Sequence, residues 1–210
     1  DGKMYSLPFS KSSEVLYYNK TVFAKHSLEV PTHWFSEGEN DTTSMEYVCN
    51  VLKTKYPKSI PLGYDSDSNW FITMCMQNGW GYTNAQAPHF SFNNEGTKAW
   101  LADLQDKFNK NLFTTQEIYG SYTSGLFVET GENAKNSFMS IGSSAGATHQ
   151  RPKKGDDGKY PFEVGIAPIP QVNQKKAKVI SQGPSLCLFK GQNPQETLAA
   201  WLLMRFFTTN

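Results

Sequence analysis

Apolar and polar residues alternate in two short stretches at the start of the chain, Lys3 to Phe9 and Glu14 to Tyr18, separated by the polar run Ser10-Lys11-Ser12-Ser13. Alternation rich in aromatic and apolar residues predicts two extended segments joined by a turn of small hydroxyls. The period then lengthens. Residues 20–26 predict a short helix, and Met45, Val48, Cys49 and Leu52 recur at three- and four-residue spacing, a helix over 44–55 ended by Pro57. Ile60 to Tyr64 predicts a strand, 65–69 a polar turn and 70–78 a helix. The clearest helix covers 94–109. There Ala99, Trp100, Leu101, Leu104 and Phe108 form one apolar stripe, with Asn93 or Asn94 as the cap.

Further along, 137–141 and 163–170 predict strands. Two more, 179–181 and 186–190, flank Gln182-Gly183-Pro184-Ser185, and a helix follows over 194–207. Residues 36–43, 79–92 and 151–159 are too polar or glycine-rich for regular structure. Alternating strand and helix signals predict an α/β or α+β architecture.

Composition narrows the function. The chain has 210 residues, 38% of them hydrophobic, enough for one sizeable core or two small ones. A net charge of +1 argues against binding to nucleic acid or another polyanion. Lys153-Lys154 lies beside Asp156 and Asp157, and Lys175, Lys176 and Lys178 sit among Gln and Asn, so both groups read as solvated loops. No apolar run approaches the ~20 residues of a membrane span, and no signal peptide is readable from Asp1 onward. Cys49, Cys75 and Cys187 lack metal-ligand spacing and read as buried free thiols.

Enzyme readings find little support. The histidines His26, His33, His89 and His149 are scattered. Gly142-Ser143-Ser144-Ala145-Gly146 matches G-x-S-x-G formally, but no histidine after His149 can serve as the base. Asp65 and Asp67 share one loop, which is poor geometry for an acid and a base on opposite faces of a glycosidic bond.

Four loops follow strand-like segments and carry small hydrogen-bonding groups: 10–13, 65–70, 142–146 and 182–185. Ligands of open α/β sheets lie beyond the carboxyl ends of strands, near free backbone N–H groups. The same residue types also build turns and caps. The candidate ligand residues are therefore Ser10, Ser12, Ser13, Asp65, Asp67, Asn69, Ser143, Ser144, Gly183 and Ser185, with Trp70, Trp80 and Tyr82 as aromatic surfaces. Trp70 offers a stacking face for sugar C–H groups, or a core ring at the start of a helix. Asp65, Asp67 and Asn69 accept ligand hydroxyls or cap that helix. Trp100 and Trp201 lie on helical stripes and read as core. Tyr119, Tyr122 and Phe127 frame a cleft wall or a surface loop, and the pair Tyr17-Tyr18 sits in a strand rather than a metal site.

Several segments together resemble one family. Asp1-Gly-Lys-Met-Tyr-Ser-Leu-Pro8, Leu16-Tyr-Tyr-Asn-Lys20, Pro31-Thr-His-Trp34, Glu163-Val-Gly-Ile-Ala-Pro-Ile-Pro170 and the helix from Glu196 to Phe207 are similar to the extracellular solute-binding proteins, family 1, of ABC importers. The stretch Phe127 to Met139 corresponds to another family element, with longer, Asn-rich spacing. The resemblance implies a periplasmic-binding-protein-like, type II, two-lobe α/β fold, of which this chain is a middle section. Residues 1–9 would be a hinge strand from the first lobe, 10–178 the second lobe, and 179–210 a strand and helix returning to the first.

The implied function is capture of a carbohydrate, glycerol-3-phosphate or a glycerophosphodiester by hinge closure, for delivery to ABC permease subunits. The implied protein is a monomer without cofactor or metal, in the periplasm or held as a lipoprotein on the outer face of the membrane. The loops around Ser12, Ser143, Gly183 and Ser185 look closest to the glycerol-3-phosphate binders, in which those positions contact ligand and a Trp matches Trp70. A carbohydrate-active enzyme and a transporter-independent sugar sensor or adhesin are the alternatives.

Overall fold

The computed structural model describes residues 4–38, 40–129, 136–191 and 193–209. Lys3 and much of the Phe127–Met139 element lie outside these residues. In chain order the elements are β1 (Leu7–Pro8), β2 (Ser12–Asn19), α1 (Lys20–Lys25), α2 (Met45–Lys55), β3 (Leu62–Tyr64) and α3 (Asp67–Asn78). There follow α4 (Glu95–Asn109), β4 (Phe113–Thr115), α5 (Gln116–Tyr119), α6 (Ser124–Val128), β5 (Met139–Ser143), a 3-10 turn (Ser144–Gln150) and β6 (Val164–Ala167). A second 3-10 turn (Gln174–Lys176), β7 (Ser181–Gln182), β8 (Ser185–Leu186) and α7 (Pro194–Thr209) complete the order. This is the expected α/β architecture. The chain divides into two compact units, Glu14–Ile180 and a smaller one of Asp1–Ser13 with Ser181–Asn210.

The larger unit is built on a sheet of order β4-β3-β5-β2-β6. β3 is parallel to β4 and β5, whereas β2 is antiparallel to β5 and β6. Parallel neighbours need crossover connections, and the helices α3 and α4 lie between β3 and β4 in the chain. All three residues of β3 are buried, as befits a central strand covered on both faces. The main core gathers Leu16, Met45, Val48, Leu52, Leu62, Tyr64, Trp70, Met74, Trp100 and Leu104.

Helix starts follow side-chain caps. Ser44 accepts from the Tyr47 N–H, Ser66 from the Asn69 N–H, and Asn94 with Thr97 closes a capping box. The Ser66 cap starts α3 at Asp67, three residues earlier than the apolar pattern suggests. Asp67 and Asn69 thus belong to a helical first turn rather than a loop, and the Asp67 charge favours the positive end of the helix dipole. Gly79, at φ +70°, ends α3 in a left-handed conformation. Strand β4 and the short helices α5 and α6 have no counterpart in the sequence reading. β5 extends through Ser143, so Ser144 opens the 3-10 turn.

Lys107 is buried with Nζ 2.7 Å from Glu46 and 3.0 Å from Asp103, so its charge is compensated on two sides. Cys49 and Cys75 are buried free thiols, but Cys187 is exposed, correcting the expectation for that residue. The strand β8 before it is only two residues long and ends at Leu186, and Phe189 beyond is 86% exposed.

In the smaller unit β1 pairs with β8, Leu7 opposite Leu186 and Pro8 opposite Ser185, while Ser12 and Ser13 of β2 pair with Gln182 and Ser181 of β7. Phe9 packs on Phe207 of α7 with ring centroids 5.7 Å apart. On α7, Leu198, Trp201, Leu202, Leu203, Phe206 and Phe207 remain 42–59% exposed. Trp201 is therefore not a core residue here, contrary to the stripe-based expectation. Among the described residues no helix is long and apolar enough to cross a membrane.

Candidate functional site

The site is built where β3 and β5 end side by side and antiparallel β2 begins. The Asp65 N–H donates to the Ile141 carbonyl at 2.9 Å, tying the two strand ends together. Beyond them Ser66 opens α3, and Ser143 Oγ accepts from the Ala145 N–H at 3.2 Å to open the 3-10 turn. Register places Glu14 opposite Ser143, and the Tyr17 hydroxyl donates to the Ser143 carbonyl at 3.0 Å. Asn69 hydrogen-bonds to Glu14, the Asp65 charge acts on it and Ser143 lies opposite it, so these residues meet where the ends of three interior strands adjoin, with Ser144 next in the chain.

Two glycines make the close packing possible. A Cβ on Gly142 would lie 2.6 Å from Asp65 Oδ2, and one on Gly63 would lie 2.5 Å from Thr123 Cβ. Into that space Asp65 Oδ1 accepts from both the N–H and the hydroxyl of Thr123, at 2.8 and 2.7 Å. One carboxylate oxygen is therefore committed to positioning the start of α6.

Glu14 is buried and accepts from the Tyr64 hydroxyl at 2.5 Å. Burial raises its pKa, the hydrogen bonds from Tyr64 and Asn69 pull it down, and the Asp65 charge adds a smaller upward push. The net shift is upward, so the folded state holds the proton more tightly than the unfolded chain. The resulting stability is complete below the ordinary value of 4.5 and is lost as pH rises through the higher folded value. Glu14→Gln keeps an acceptor for Tyr64 and removes the titration. Urea unfolding at a series of pH values should show the variant with a flatter dependence above pH 4.5 than the parent chain. Equal slopes would deny Glu14 this role.

The other hydroxyl loops meet in the smaller unit. Strand pairing sets Ser12 and Ser13 beside β7 and Ser185 beside Pro8. Gly183, at φ +97°, lets the chain pass Ser10, whose carbonyl oxygen any Cβ there would strike. The Phe9 and Ser10 N–H groups donate to the Pro184 carbonyl, and Lys11 Nζ donates to the Gly183 carbonyl at 2.8 Å.

The aromatic candidates fare differently. Trp70 is 2% exposed and stacked on Tyr64 at 4.7 Å and 13°, with Trp100, Phe108 and Phe113 edge-on around it. It is a core ring that forms part of the wall of an apolar groove with Phe71 and Leu101. Of the two roles the sequence leaves open for Trp70, the structure favours the core ring, because Tyr64 lies on its face and three other rings surround its edges. Trp80 packs against Gly96, and Tyr82 stacks on Phe92 at 5.7 Å. Both follow the far end of α3, whose 12 residues span about 18 Å, and so stand apart from the Asp65 group. Tyr119 and Tyr122 are exposed, whereas Phe127 is buried against Phe162. Among the described residues no cluster of His, Cys, Asp and Glu could hold a metal ion.

Sequence reasoning missed Glu14 and Thr123. Glu14 carried a signal, an acid at a strand position whose neighbours alternate inward. Thr123 carried none, since its partner Asp65 is 58 residues away.

A model of the bacterial extracellular solute-binding proteins matches residues 1–210. Comparison with curated protein sequences gave no match. Among solved structures, UgpB from Mycobacterium tuberculosis in complex with glycerophosphocholine has a TM-score of 0.69 at 16% identity, over 100% of this chain and 48% of that one. The substrate-binding protein Lmo0181 from Listeria monocytogenes, in complex with cycloalternan, also reaches 0.69, at 20% identity over 100% and 49%. A de novo designed cysteine esterase, ECH19, reaches 0.66 at 16% identity over 98% and 49%. The chain spans about half the length of these structures, and the likeness is one of fold. Since the family model matches along the whole chain, the chain belongs to the bacterial extracellular solute-binding proteins.

Proposed function

We propose that this chain supplies one lobe of the substrate-binding component of an ABC importer, capturing a carbohydrate, glycerol-3-phosphate or a glycerophosphodiester. The observation that carries this reading is the convergence of Asn69, Ser143 and Ser144 at the joined ends of β3 and β5. Small hydroxyls and amides at strand ends suit a ligand rich in hydroxyl or phosphate oxygens. Glu14–Ile180 is then the second lobe, and Ser10, Ser12, Ser13, Gly183 and Ser185 belong to the smaller unit, which is then part of the first.

Ligand held by one lobe stabilises a closed arrangement with the other, and the closed form is presented to the permease outside the cytoplasm. The reading involves no chemical turnover. Glu14 accepts from Tyr64, and one oxygen of Asp65 accepts from Thr123, so both carboxylates serve contacts within the fold.

The test is a thermal-shift series on protein carrying both lobes, with glycerol-3-phosphate, glycerophosphocholine, maltose and maltotriose. A ligand at 100 times its dissociation constant adds about 2.7 kcal/mol to stability. A shift with one class is expected and names the cargo. Unchanged melting with all of them overturns the reading.

A further inference from the structure

The chain passes between the larger and the smaller unit twice, at Ser13–Glu14 and at Ile180–Ser181. The two crossings are built differently. The first lies inside β2, which runs unbroken from Ser12 to Asn19. The second follows a stretch without regular structure, 177–180, and becomes strand again at Ser181 of β7. Ser181 is held by its pairing with Ser13. The slack in this return crossing is therefore set by whatever fixes the chain before it.

Gln77, in the last turn of α3, does this. Its Oε1 accepts from the Trp34 indole N–H and the Val172 N–H, both at 3.0 Å. Its Nε2 donates to the carbonyls of Pro170 and Lys178, at 3.2 and 3.1 Å. A side-chain amide has two donor hydrogens and two acceptor lone pairs, so this one is fully used. Lys178 is gripped twice more. Its N–H donates to Gln171 Oε1 and its Nζ to the Met76 carbonyl, each at 2.8 Å. Trp34 is 2% exposed beside Tyr64 and Trp70, and it roots this clasp in the main core.

Only Val179 and Ile180 separate Lys178 from β7. Hinges are a few loop or terminal residues that absorb changes in φ and ψ. The helix that carries the clasp at one end holds Asn69 of the strand-end group in its first turn. We propose that Gln77 is the positioning residue of the hinge, confining bending on the return crossing to Val179 and Ile180. The proposal rests on the two-lobe part of the reading above and not on its cargo.

The test uses ligand-free protein carrying both lobes, with spin labels on Lys55→Cys and Gln195→Cys, both at exposed positions. The background is Cys187→Ser, since Cys49 and Cys75 are buried. Double electron–electron resonance then reads the spread of distances between the two units. Gln77→Leu removes all four amide bonds and should broaden that spread. Exchange at the Val172 and Lys178 amides should rise roughly tenfold, the effect of losing one or two net hydrogen bonds. Lys178→Met, at an exposed side chain, should broaden the spread less, and it decides the matter alone if Gln77→Leu does not fold. Leu52→Val loosens the core away from the clasp and should keep the parent width. Parent widths in both clasp variants, or equal broadening in Leu52→Val, would overturn the proposal. Broadening in the clasp variants, with no melting shift from any of the four ligands above, would sustain the hinge role and overturn only the importer reading.

Discussion

Trp70→Ala is expected to destabilise the larger unit by about 4 kcal/mol, the usual cost of deleting a buried aromatic side chain. The ring is 2% exposed and lies against Tyr64 with Trp100, Phe108 and Phe113 around its edges, so alanine leaves a cavity that at least four other rings border. Trp70→Phe should cost far less, about 1 kcal/mol. It keeps an aromatic face on Tyr64 and removes an indole N–H that has no partner among the described residues. Urea denaturation of both variants separates the two views of this residue. Were Trp70 a ligand-stacking surface, Trp70→Ala would keep stability within about 0.5 kcal/mol of the parent and lose only affinity.

Asp65→Ala is the second large effect, at about 3 kcal/mol. Its Oδ1 accepts two bonds from Thr123, and Thr123 is fully buried, so alanine leaves a buried N–H and a buried hydroxyl without their acceptor. Asp65→Asn retains an acceptor and should lose only about 1 kcal/mol. The measurement is unfolding free energy together with hydrogen exchange at the Thr123 amide, which should accelerate in Asp65→Ala. If exchange stays slow and stability is unchanged, Asp65 is not the pin between β3 and α6. It would then be free to meet ligand, one of the two roles the sequence leaves open for it.

The contrast between these residues shows where sequence reasoning stops. The helices were legible because they announce themselves locally. Met45, Val48, Cys49 and Leu52 repeat at helical spacing behind a Ser44 cap, and the α4 stripe follows an Asn94–Thr97 capping box. Strand β4 was not legible, because a three-residue element of Phe-Thr-Thr has too few positions to display a period. The start of α3 was misjudged because its first turn, Asp67 to Asn69, is polar on every side. Its helicity comes from the Ser66 cap rather than from an apolar face.

The sequence by itself determined the α/β class, most of the helices, and a set of small hydroxyl and glycine loops at strand ends, because period, caps and turn residues are properties of neighbours in the chain. Tertiary structure alone decided which candidates meet. It drew Asp65 to Thr123 and Glu14 to Tyr64, and it turned Trp70 inward among other rings. It also left most of the large apolar residues of α7 exposed. Burial and pairing depend on what strand register and crossover bring alongside a residue, and partners some 50 residues apart leave no periodic trace in the sequence.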